Sequence, residues 1–148
     1  MKKDFFLIVI PLFLMACAAP VVHNTASGRP EVSINGKVAA QAKSEIMNLM
    51  INNKYNVKSA NDTLLIFERK IENILAAAML SSKYDSSPVT RVSFNIIEME
   101  DLTRIVASFE AVTNPGSAFE KITPMDNNTD TASYQMRLNE IKQRIESK

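Results

Sequence analysis

Two side chains in the sequence are of the kinds that bring thiol or imidazole chemistry, Cys17 and His23, and each is the only one of its type. Nucleophilic catalysis of the Ser-His-Asp or Cys-His kind needs a base positioned beside the nucleophile by a folded frame. His23 lies instead in a stretch rich in Ala, Pro, Ser, Thr and Gly, so it is expected to be solvated. Zinc sites assembled from His and Cys are excluded on the same count. No Gly-x-Gly-x-x-Gly or phosphate-loop spacing occurs, which leaves nucleotide binding without support. Asp126, Asn128 and Asp130 have the spacing of positions one, three and five of a calcium loop. Thr131 then stands where the tight turn needs Gly, and Arg137 where a bidentate Glu is required, so an EF-hand is rejected. Glu98, Glu100 and Asp101 crowd one turn and could offer a glycosidase-like carboxylate pair, but a solvated hairpin turn accounts for them. No catalytic residue, metal or cofactor is expected, and the chain is not expected to be an enzyme.

The residues in front of Cys17 say more. Lys2 and Lys3 form a positive head, Phe5 to Met15 an apolar run, and Ala16 a small residue before a cleavage point. That is the pattern of a secretory signal over residues 1–16. Its apolar run would rise roughly 16 Å as a helix, about half a hydrocarbon core, so a permanent span is not expected. Leu14-Met15-Ala16-Cys17 resembles the lipobox of bacterial lipoproteins, with Met15 departing from the residue usual at that position. The resemblance implies cleavage before Cys17, a thioether from its sulfur to diacylglycerol, and acylation of the new amine. Two or three chains, at about 0.8 kcal/mol for each buried CH₂, would hold a protein on a bilayer almost permanently. Such a fate also fits a cysteine with no partner for an intramolecular disulfide. Ala18 and Ala19 follow, without the Asp that serves enterobacterial lipoproteins as an inner-membrane retention signal. The resemblance thus implies the periplasmic side of an outer membrane.

Loss of residues 1–16 removes Lys2, Lys3 and Asp4 and takes the formal charge from +1 to 0. A neutral chain has no electrostatic footprint for nucleic acid and no basic stripe for anionic lipid, so membrane contact is expected from the lipid on Cys17 alone. Residues 17–30 compose a flexible tether, and residues 31–148 are long enough for one ordinary domain.

Within that domain Glu31-Val32-Ser33-Ile34 alternates as a strand and ends at Asn35-Gly36. Val38, Ala42, Ile46, Leu49 and Met50 then recur at helical spacing over residues 37–53, with Asn35 or Gly36 as cap. Tyr55 and Val57 begin a second strand, residues 59–62 turn, and residues 63–69 form a third. Ile71, Ile74, Leu75, Ala78 and Met79 mark a short helix, closed by a polar loop up to Pro88. Val92, Phe94 and Ile96, then Ile105, Ala107, Phe109 and Ala111, alternate with residues that are polar except for Val106, and predict a hairpin. Asn114-Pro115-Gly116 has the residues of a type II turn, and Ser117-x-x-Glu120 the spacing of a capping box for a turn of helix. Tyr134, Leu138, Ile141 and Ile145 line one face of a C-terminal helix.

The order β-α-β-β-α-β-β-α predicts an α+β domain: one antiparallel sheet of about five strands with helices on one face. In outline it is similar to the small helix-over-sheet domains of periplasmic lipoproteins that assist envelope assembly. Residues 114–129 make a longer irregular run than compact domains usually keep without a use. Asn114, Pro115, Gly116, Phe119, Ile122 and Met125, with Tyr84 and Asp85 of the earlier loop, are therefore the candidate contact residues for an envelope protein partner. The alternative is a small apolar ligand or lipid held between sheet and helices.

Overall fold

The computed structural model describes residues 21–71, 88–126 and 130–147. The expected leader, Cys17, the second helix, and the contact candidates Tyr84 and Asp85 lie outside them. Strands β1 (Glu31–Asn35), β2 (Asn56–Ala60), β3 (Leu64–Lys70), β4 (Val89–Glu98), β5 (Leu102–Thr113) and β6 (Lys121–Pro124) join helices α1 (Ala39–Asn52) and α2 (Asp130–Glu146). The strands form one antiparallel sheet in the order β1-β5-β4-β3-β2, with β6 also on β5. The α+β architecture is as expected, with a sixth strand added from the stretch expected to be irregular.

Alternation explains which face is buried. Val32 and Ile34, Leu65 and Phe67, Val92, Phe94 and Ile96, and Ile105, Ala107 and Phe109 all turn to one side. They meet Ala42, Ile46 and Met50 of α1 and Leu138, Ile141 and Ile145 of α2. Phe67 and Phe94 pack edge to face with centroids 6.0 Å apart at the centre. Each large side chain buried there contributes about 1.5–3 kcal/mol, so this helix-covered face supplies most of the drive to fold.

Strands β1 and β6 lie end to end along the same edge of β5. Glu31 to Asn35 pair with Val106 to Leu102, and Lys121 to Pro124 with Thr113 to Glu110. Pro124 is tolerated because β6 is an edge strand. At the junction the Phe109 N–H donates to Asp126 Oδ1 at 2.9 Å. Asp126 Oδ2 pairs with Arg29 Nε at 3.2 Å, and Arg29 Nη1 donates to Ser108 Oγ at 2.9 Å. Asp126, one of the calcium-loop candidates, thus acts as a staple between two strand ends.

The sheet's two outer edges are handled differently. On β1 the Glu31 N–H donates to Gln135 Oε1 at 2.8 Å, Gln135 Nε2 donates back to the Glu31 carbonyl at 3.0 Å, and the Asn35 N–H reaches Glu146 Oε1 at 3.2 Å. Side chains of α2 thereby occupy positions where another strand would pair. Edge strand β2 is exposed throughout, but a register shift between Val57 and Ser59 and the charge of Lys58 interrupt it.

Four local expectations change. Helix α1 starts without Asn35 or Gly36 as a side-chain cap. The buried Thr103 hydroxyl instead accepts from the Val38 N–H at 3.0 Å and donates to the Gly36 carbonyl at 2.9 Å. Ser59 and Ala60 belong to β2, not to a turn. No helix follows Ser117; Glu120 reaches sideways to Arg91 and β6 begins at the next residue. The flexible tether does not extend over residues 23–30. His23 is buried with Nε2 2.8 Å from Thr131 Oγ1, and the Pro30 carbonyl accepts from the Ala107 N–H at 2.9 Å. The physical reason is that Arg29 and His23 find polar partners on the folded domain that composition does not reveal.

Candidate functional site

At one end of the sheet α1 stops. Lys54 takes a positive φ of 63°, and the Tyr55 N–H folds back to the Met50 carbonyl at 3.0 Å. This reversal buries the Tyr55 ring under the first turns of α2. Tyr134 of α2 donates its hydroxyl hydrogen to the Tyr55 hydroxyl at 3.0 Å, and its ring lies 4.5 Å from that of Phe109. The Arg69 guanidinium sits 4.6 Å above the Tyr55 ring and donates through Nη1 to the Asn53 carbonyl at 3.1 Å.

These groups border a cleft of about 330 Å³. Leu49, Phe109 and Met125 make its apolar wall, and Thr90, Thr131 and Ser133 add polar groups. Arg69 and Arg137 put two cations on the lining. Arg137 is also paired with Glu140 at 3.2 Å, among exposed side chains. The arrangement combines an aromatic and aliphatic wall with donors suited to an acidic or carbonyl-bearing group.

The contact candidates divide between two places. Met125 lines the cleft, while Phe119 is 82% exposed and Ile122 46% exposed on the β5–β6 hairpin. Asn114, Pro115 and Gly116 form the turn between them, closed by the Ser117 N–H on the Asn114 carbonyl at 3.2 Å. Gly116 has the φ of +77° that the third position of the expected turn needs.

A cation on the helix-free face holds this hairpin. Arg91 Nη1 donates to Glu120 Oε1 at 2.8 Å and Nε to Glu68 Oε1 at 2.8 Å, while Glu68 also pairs with Lys58 at 2.7 Å. Glu120 Oε2 accepts from the Gly116 N–H at 2.7 Å. The Arg91 and Gly116 hydrogen bonds bring the Glu120 carboxyl down to about 2. Burial alone would make Arg91 less basic, but its bonds to Glu120 and Glu68 outweigh that and raise its pKa. Glu31 is lowered chiefly by hydrogen bonding to Arg104, which grips it through Nε and Nη2 at 2.7 and 2.9 Å.

Sequence reasoning places Tyr55 at a strand start, Phe109 in the core and Tyr134 on a helix stripe, and does not bring them together. One signal was available: Tyr134 and Arg137 stand three residues apart and share a helix face. Their partners Tyr55 and Arg69 come from distant positions that local spacing does not connect. Among the described residues no three His, Asp or Glu side chains are grouped to hold a metal ion, and no helix is long and apolar enough to cross a membrane. No protein-family model matches the chain, and no curated protein is detectably similar to it.

Proposed function

We propose that this protein is a lipoprotein anchored through Cys17 to the periplasmic side of an outer membrane, and that its domain works by binding. The cleft is its ligand site, and the ligand is a small amphiphile with an apolar body and an acidic head. The observation that carries this reading is the combination of Tyr55, Phe109 and Tyr134 with Arg69 and Arg137 around one opening. The cleft, of about 330 Å³, is at the small end of the usual range for ligand pockets. That suits a short ligand or the head of a longer one.

Native mass spectrometry on the full chain extracted in mild detergent tests the site. A retained acidic amphiphile is expected, and Arg69→Met with Arg137→Met should reduce its occupancy. Absence of any retained ligand, together with equal binding of a fluorescent fatty-acid analogue by parent and double variant, would count against it. A second reading, an envelope protein bound on the β5–β6 hairpin, is favoured by the exposure of Phe119 beside Ile122. Crosslinking followed by co-purification would then recover a partner that Phe119→Ser loses and an anchored control domain never enriches.

A further inference from the structure

We propose that the cleft-bearing end of the domain docks on an anionic bilayer surface, with Phe119 at the contact and the opposite end pointing away. This inference rests on the anchoring of Cys17 and adds to it an orientation and a lipid chemistry.

Register defines the two ends. Lys70 pairs with Val89, Val89 with Val112, and Val112 with Ile122, so the end of β3, the start of β4, the end of β5 and the start of β6 come together. The exit of α1 at Tyr55 and the first turns of α2 flank the same end through the cleft they share. The N-terminal segment arrives there too, since His23 is fixed to Thr131 in the first turn of α2. Cys17 stands six positions before His23, a span of at most about 21 Å. Strand β5 alone, at about 3.4 Å per residue over its 12 residues, is nearly twice as long. A Cys17 held in a bilayer therefore keeps the cleft end within reach of that bilayer.

Charge is unevenly divided along the same axis, although Lys37 lies at the far end and Glu110 and Glu120 at the cleft end. Lys54, Arg69, Lys70 and Lys121 stand at the cleft end, and none of them forms an ion pair among the described residues. The far end carries Asp62 in the β2–β3 turn and Glu98, Glu100 and Asp101 around the β4–β5 turn. Of these four, Asp62 is paired, with Lys43 at 3.5 Å. Anionic headgroups attract the first set and repel the second. Phe119, at the tip between β5 and β6, offers an apolar side chain to the same surface.

The test uses the full lipidated chain in vesicles. A single thiol for an environment-sensitive dye is introduced by Phe119→Cys or, at the far end, by Asp62→Cys; both positions are exposed, and a lipidated Cys17 offers no competing thiol. The vesicles are phosphatidylcholine with or without phosphatidylglycerol, and they carry a headgroup nitroxide quencher. Quenching at position 119 is expected to exceed that at position 62 several-fold in the anionic vesicles. It should weaken in neutral vesicles, in high salt and with Lys70→Gln plus Lys121→Gln. A chain that floats with its vesicles but shows equal quenching at both positions overturns the docking alone. Quenching at position 119 that ignores lipid charge overturns the proposed recognition of anionic headgroups. A chain that fails to float overturns the anchoring, and the docking with it.

Discussion

Replacing Arg91 by Met would remove one cation from between two carboxylates while keeping most of the side-chain volume. The Arg91 side chain is 10% exposed and that of Glu68 20%, so solvent replaces the lost partner only in part. Glu68 would retain Lys58 but lose a charge-assisted bond, the kind that contributes about 1.5–3 kcal/mol. The expected loss of stability at pH 7 is about 2 kcal/mol, or about 8 °C in Tm for a domain of this size. The pH dependence is more discriminating. Glu120 has a folded pKa of about 2 against an ordinary 4.5, so its contribution is fully present above 4.5 and is lost as pH falls from there toward 2. Arg91→Met removes the main cause of that depression. The gap between parent and variant should therefore be widest at neutral pH and narrow steadily below 4.5. Glu31 is lowered in both proteins and cancels in the difference. Urea unfolding followed by circular dichroism at pH 7, 4 and 3 measures it. A gap as large at pH 3 as at pH 7, or no gap at pH 7, would refute the assignment of Arg91 as the clasp.

Thr103→Val keeps the shape but strands the Val38 N–H and the Gly36 carbonyl at the start of α1, and should cost about 1–2 kcal/mol in chemical denaturation. A variant as stable as the parent would show that α1 does not depend on this cross-strand cap. Gln135→Ala uncovers the backbone of Glu31 on the β1 edge; a loss of about 1 kcal/mol and concentration-dependent self-association in analytical ultracentrifugation are expected. A strictly monomeric variant at high concentration would argue against edge protection by α2. His23→Ala removes the buried bond to Thr131, so limited proteolysis should cut residues 21–30 faster while the sheet stays intact. An unchanged cleavage pattern would mean that the Arg29 contacts suffice to hold this segment.

Much of the fold was legible because alternation and helical spacing are local properties. Val92, Phe94 and Ile96 alternate whatever the rest of the chain does, and the same regularity carries them to the buried face. Strand β6 has no local signature because its four residues include a proline and are all exposed, so no apolar pattern marks them; pairing with β5 makes the strand. The candidate site was legible only in pieces. Met125 stands in a stretch without regular spacing, yet its position in the cleft follows from its N–H bonding to the Phe109 carbonyl at 2.8 Å. Tyr55 and Tyr134 are 79 residues apart, and nothing near either one announces the hydroxyl contact.

The sequence by itself determined the alternating strands, the amphipathic stripes of α1 and α2, the class of fold, and a formal charge of only +1. Those features depend on residue type and short-range spacing, which a linear chain already contains. Only the tertiary structure decided the strand register, the covering of the β1 edge by Gln135 and Glu146, and the closing of Tyr134 over Tyr55. It also decided where the charges stand. A net charge is a sum and carries no direction, whereas the turns of the sheet set Lys54, Lys70 and Lys121 at one end and Glu98, Glu100 and Asp101 at the other. A chain whose charges nearly cancel in total thereby carries them unevenly along the sheet.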